Sequence, residues 1–291
     1  MSQTDTQPIA APAVCSNCYV ALNGQYCSSC GQRVDPHPPT IGHFAEEVVE
    51  TITHADSRLW KTLRLLLLQP GILTVDFFAG RRARYLPPIR LYFILSVVFF
   101  FLLALGPGET QTTLNNLEVN VDGVKVNGCQ ELIYRGPFAS RAEPLLRAAC
   151  VRVVQDLQAG GAGFTRNFLA NLPKAMFVLL PIFGGVMLAF YWRPRHLYAE
   201  HLIFLIHNHS AAFLAMTLLS LIDLCLPESL QDWSLLPFFG WLTWYCYRGL
   251  RVYYRQSRLR TLAKLVTMGM LYLYLASLIL LFAGITAALS V

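Results

Sequence analysis

The chain has 291 residues, 55% of them hydrophobic and 14% charged, with a formal net charge of +6 and a mean hydropathy of +0.44. About a quarter of the residues in a soluble domain are charged, so this composition excludes an ordinary soluble globular protein and fits a chain solvated by lipid. The basic excess does not indicate nucleic acid, because the Lys and Arg residues sit beside apolar runs, where they set topology and meet lipid headgroups.

Residues 1–38 read as a zinc-ribbon-like module and linker. Cys15-Ser16-Asn17-Cys18 and Cys27-Ser28-Ser29-Cys30 are two C-x-x-C pairs separated by eight residues. Each pair can present two thiolates to one metal ion, and four sulfurs close a tetrahedron around Zn²⁺ with no open position, which suits a structural site. Gly31 supplies a permissive backbone after the second pair, and Asn23-Gly24 is a hairpin signal that would fold one pair onto the other. The competing reading is two disulfides, which a reducing compartment disfavours. The first 40 residues contain neither a basic n-region nor an apolar h-region, so no cleavable signal is expected and the N-terminus is expected in the cytoplasm.

Pro36, Pro38 and Pro39 end the module, and residues 39–70 follow as an amphipathic helix. Ile41, Phe44, Val48, Ile52, Ala55, Leu59, Leu63 and Leu66 recur at steps of three and four, with charged residues between them. Such a helix lies on the bilayer surface or packs on a transmembrane bundle, and the pattern does not choose. Pro70-Gly71 ends it. Residues 71–88 form a basic juxtamembrane segment; Arg81, Arg82 and Arg84, with Arg90 just beyond, are candidates for contact with anionic lipid headgroups or polyphosphate, or plain topology anchors.

The run Tyr26-Cys27-Ser28-Ser29-Cys30-Gly31-Gln32, then His43-Phe44, Gln69-Pro70-Gly71, Gly80-Arg81-Arg82, Tyr85, Pro87, Tyr92, Ser96 and Phe99-Phe100 resemble the DUF3667 family, a group of uncharacterised bacterial membrane proteins. The resemblance implies a similar architecture and brings no established activity.

Apolar runs give five expected spans: 89–105, 171–192, 199–226, 234–254 and 265–289. Arg193 and Arg195 between the second and third, and six basic residues from Arg248 to Lys264 around the fourth and fifth, place those loops in the cytoplasm. The C-terminus is then extracytoplasmic. Residues 106–170 form an extracytoplasmic α+β insertion, with strands on either side of Asp122-Gly123, a capping box at Ser140 and Glu143, and a helix to about Gln158. Cys129 and Cys150 lie there and are a candidate disulfide.

The third span holds the polar stretch Glu200, His201, His207, Asn208 and His209, which also looks like a hallmark of that family. Ionisable groups at membrane depth are costly. Helical geometry puts Glu200 with His207 and His201 with Asn208 on one arc, while His209 points away. That arc suits an ion path, a proton relay or part of a metal site; the alternative is interhelical hydrogen bonding. No nucleophile elbow or phosphate loop is present, so no enzyme is expected.

The expected fold class is a membrane all-α bundle of about five transmembrane helices with an N-terminal zinc-ribbon-like module and a small α+β extracytoplasmic insertion. The expected setting is a bacterial inner membrane. The expected role is a non-enzymatic adaptor or assembly protein with a structural zinc ion, a protein partner or homo-oligomer, and no nucleic acid. The alternative is an oligomeric transporter or channel for ions or small solutes using the third span.

Overall fold

The computed structural model describes residues 14–34, 58–105, 129, 133, 139–158, 161–193 and 196–290. These residues are almost wholly helical: α1 (Arg58–Leu68), α2 (Ile72–Phe78), α3 (Pro88–Leu105), α4 (Ala139–Gln158), α5 (Ala162–Phe190), α6 (Tyr198–Asp223), α7 (Glu228–Tyr254) and α8 (Arg258–Leu289). The expected strands at 117–126 and residues 41–57 of the amphipathic stretch lie outside the described residues.

Among the described residues α5, α6 and α8 are long and apolar enough to cross a membrane. At 1.5 Å per residue the 32 residues of α8 rise about 48 Å, against about 30 Å for a hydrocarbon core. Hardly any of its most apolar stretch is buried, and Met270, Leu273 and Phe282 are exposed on its surface. Water would not tolerate such a face, whereas lipid covers it at no cost. The other two expected spans fall short of these criteria for different reasons. The 18 residues of α3 rise only about 27 Å; α7 is long enough but carries Gln231 and Asp232 near its start and Arg248 and Arg251 near its end.

The chain divides into two compact units. In the first, Met1–Val97 with Met187–Leu265, α6 packs on α1, α2 and α7, and α2 also packs on α1 and α7. The break between α1 and α2 comes from Pro70-Gly71, because Gly71 takes a left-handed φ of 83°. A Cβ there would meet the Gly249 carbonyl oxygen at 2.9 Å, so glycine serves both the turn and the close approach to α7. Thr62 and Leu66 of α1 and Leu73, Thr74 and Phe77 of α2 are buried.

In the second unit, Val98–Val186 with Val266–Val291, Cys129 is bonded to Cys150 of α4, with 5.6 Å between their Cα atoms. The end of α4 directs the start of α5: Gly161 turns the chain at φ 71°, and the Asp156 carboxylate accepts the N–H groups of Gly163 at 3.1 Å and Phe164 at 2.7 Å. That carboxylate thus caps two donors that the first turn of a helix cannot satisfy itself.

Candidate metal centre

The two C-x-x-C pairs form two turns of the same construction. In the first, the Cys15 N–H donates to Val20 O at 2.8 Å and the Tyr19 N–H to Cys15 O at 2.8 Å. In the second, the Cys27 N–H donates to Gln32 O and the Gly31 N–H to Cys27 O, both at 2.9 Å. Each turn is closed by one antiparallel bridge, Val14 with Ala21 and Tyr26 with Arg33. The residue after each second cysteine is left-handed, Tyr19 at φ 63° and Gly31 at φ 71°. Gly31 takes that conformation freely, while Tyr19 is held in it at some cost.

The expected hairpin at Asn23-Gly24 is not formed. Such a turn needs positive φ at both central residues, and neither of these is among the residues with positive φ. The pairs meet through their own turns, and the intervening residues only connect them.

Together the turns bring the sulfurs of Cys15, Cys18, Cys27 and Cys30 within 4.8 Å of one another. Cys15 Sγ lies 3.7 Å from Cys30 Sγ, and Cys18 Sγ 3.4 Å from Cys27 Sγ. A tetrahedron with metal–sulfur bonds of about 2.3 Å has edges of about 3.8 Å, so the set fits one metal ion. Backbone donors surround the sulfurs, as the Asn17 N–H to Cys15 Sγ at 3.4 Å illustrates. Backbone N–H groups of Cys30 and Ser29 draw the Cys27 thiol below its usual range. Burial pushes the Cys30 thiol up, but the Asn17 side chain and the Gln32 N–H outweigh it and bring it to about 6. The Val20 N–H draws Cys18 down, yet burial and the neighbouring sulfurs leave it at about 11. Mutual repulsion of that kind is what a divalent cation relieves.

This module is seated on the basic segment between α2 and α3. The Gln32 amide spans the loop, donating from Nε2 to Gly80 O at 2.6 Å and accepting the Ala83 N–H on Oε1 at 3.1 Å. Arg84 donates to Asn17 O. Gly80 is left-handed at φ 81°, and a Cβ on it would meet Ser16 Cβ at 2.9 Å. Below this contact Asp76 binds the Arg81 guanidinium through Oδ1 and accepts the Tyr85 hydroxyl through Oδ2 at 2.7 Å. Asp76 first, then Tyr19, raises Arg81 above the ordinary arginine value. Burial, aided by Asp76, pushes the Tyr85 hydroxyl up to about 12. Of the four arginines singled out in the sequence, Arg81 and Arg84 are therefore bound within the protein, and Arg82 donates to Phe77 O at 3.4 Å and lies over the Phe77 ring. Arg90 is half-buried in the first turn of α3.

The polar residues of α6 do not converge on one another. Glu200 pairs with His196 at 2.6 Å, accepts the Tyr253 hydroxyl at 2.7 Å and caps Leu197 N–H at 3.2 Å. His201, fully buried, bonds the Tyr254 hydroxyl through Nδ1 at 2.6 Å. His207 instead meets Thr74 of α2 at 2.9 Å. Asn208 and His209 turn back to the carbonyls of Phe204 and Leu205 in their own helix. The arc is thus divided between α7 and α2. Tyr253, Tyr254, Thr74, Gln32 and Asp76 were not singled out in the sequence; only Gln32 carried a signal there, as the last residue of the motif around Cys27 and Cys30.

Long apolar helices and a four-sulfur module define the class: a helical protein of membrane type with four cysteines close enough together to bind one metal ion. Residues 56–100, which hold α1, α2, the basic loop and most of α3, match the family described as protein of unknown function (DUF3667). No curated protein and no solved structure matches the chain.

Proposed function

We propose that the chain is a non-enzymatic membrane adaptor whose N-terminal module holds a structural zinc ion on the cytoplasmic side and gathers a protein partner, or further copies of the chain, at the inner membrane of a bacterium. The single observation that carries this reading is the inward-facing set of four sulfurs seated on the basic loop. A site with four protein ligands leaves no position for substrate or water, so its contribution is shape. Cys15 and Cys27 are each only 2% exposed, which suits a metal that holds a fold together. All-sulfur ligation favours zinc over the hard cations. Five spans, an inside N-terminus and an outside C-terminus complete the reading, on the strength of the arginines that end α7 and begin α8.

The test is metal content with assembly as a second readout. Full-length protein extracted in mild detergent should carry one zinc ion per chain, and Cys27→Ser with Cys30→Ser should remove it without preventing insertion. The crosslinked complex of the wild type should then dissociate in the variant. Protein without metal and with two disulfides, or a complex indifferent to the cysteines, would end the adaptor reading.

The second reading, conduction of an ion or small solute along α6, is supported by one observation: His201 Nε2 and Asn208 Oδ1 are buried with no hydrogen-bond partner. A protein interior seldom leaves such atoms orphaned. His207→Leu and His209→Leu should abolish uptake into proteoliposomes if that reading holds and leave assembly untouched.

A further inference from the structure

The first helix of the described chain turns two unlike faces to its surroundings. Thr62 and Leu66 are buried, and α1 packs by this side on α2 and α6. At 100° per residue, Trp60, Arg64 and Leu68 form a stripe on the opposite side, with Lys61 and Leu65 next to it. Trp60 is 79% exposed and Leu68 64% exposed. Together with Gln69 these residues line a surface groove of about 480 Å³.

We infer that this groove is a binding site for a phospholipid with an anionic headgroup, with Arg64 and Lys61 against the phosphate and Trp60, Leu65 and Leu68 against the acyl chains. Three observations carry it. The helix lies on α6, which is long and apolar enough to cross the bilayer; a helix on the flank of a membrane span has lipid for its remaining neighbour. Its level is interfacial: the turn at Gly71 abuts Gly249, between Arg248 and Arg251 of α7, and arginines near a helix end mark the headgroup layer. Finally, the exposed face combines a tryptophan and leucines with two cations and no carboxylate, the composition of a helix that lies in the membrane interface. Lys61 lies 5.5 Å from the Tyr85 ring centroid, which positions its ammonium beside the groove while leaving its hydrogen-bond donors available. Sequence periodicity left open whether this helix packs on the bundle or on lipid; its two faces do both.

The experiment uses the full-length protein in nanodiscs of zwitterionic lipid doped with a minor fraction of chain-brominated phosphatidylglycerol or chain-brominated phosphatidylcholine. The fluorescence of Trp60 is taken as wild type minus Trp60→Phe. Bromine should quench this component more strongly on the phosphatidylglycerol, and Lys61→Gln with Arg64→Gln should lower that preference by roughly an order of magnitude. Quenching of the remaining tryptophans should not change, which separates loss of the site from loss of the fold. Equal quenching by both lipids in the wild type would overturn the anionic site. No quenching by either would mean that protein, from this chain or another, covers the face, and would overturn it equally.

Discussion

At the scale of single residues, the informative group is the Gln32 amide. A side-chain amide offers the same donor and acceptor pair as a peptide unit, and here it bonds Gly80 O and Ala83 N–H as a neighbouring strand would. The cysteine turns are thereby joined to the loop by contacts that do not involve the sulfurs. Gln32→Ala should consequently leave metal content unchanged while exposing Gly80 through Arg84. Leaving the half-buried Ala83 N–H without its acceptor costs on the order of 1–3 kcal/mol. Hydrogen exchange measured by mass spectrometry should show faster exchange across that loop in the variant and no change around Cys15 to Cys30. Equal exchange in both proteins would mean that the amide contributes nothing to docking. Gly80→Val should have the same effect more severely, since a left-handed backbone and the Ser16 side chain at 2.9 Å both oppose a side chain there.

The elements show where a short break acts at a distance from its own sequence. Gly71 ends one short helix and starts another, but its backbone also lies against Gly249 at the far end of the chain. Gly71→Ala should destabilise the first unit by more than the usual fraction of a kcal/mol for glycine to alanine, because strain at positive φ adds to a clash with backbone that cannot rotate away. Thermal unfolding of the detergent-solubilised protein checks it, with Gly185→Ala as the control, since nothing lies near a Cβ built at Gly185. An equal melting temperature for the two variants would contradict the packing. At the α4–α5 joint, Asp156→Asn keeps an acceptor and should be milder than Asp156→Ala, which removes the cap of two N–H groups at a cost of about 1–2 kcal/mol.

The whole molecule shows which parts of the fold could be read from the chain alone. Helices, the gathering of Cys15, Cys18, Cys27 and Cys30 and the break at Pro70-Gly71 depend on local spacing, and spacing is visible in a sequence. The partition of the polar stretch was not legible, because helical angles report direction and not neighbour: Glu200 and His207 share a face, yet one meets Tyr253 and the other Thr74. The Asn23-Gly24 signal misled for a related reason. Two turns that each close on themselves leave a connecting segment with no strands to join.

The cysteines carry the last prediction, because their chemistry differs along the chain. Four near the N-terminus are free thiols close enough to hold one metal ion, while Cys129 and Cys150, in the second unit, are bonded to each other. Thiols and disulfides persist in different compartments, and a chain that crosses the membrane can place each where it survives. With the proposed inside N-terminus and α3 as a span, the bonded pair lies outside and the metal module inside. In intact spheroplasts an impermeant maleimide should therefore reach Cys129 and Cys150 once a mild reductant has opened their bond, and should reach Cys15 to Cys30 only after permeabilisation and chelation. Cys150→Ser should cost about 3 kcal/mol, the loop-closure value for a separation of 21 residues. Labelling of the N-terminal cysteines in intact spheroplasts would reverse the orientation. With it would go the cytoplasmic metal module, because four thiols held in an oxidising compartment would pair with one another.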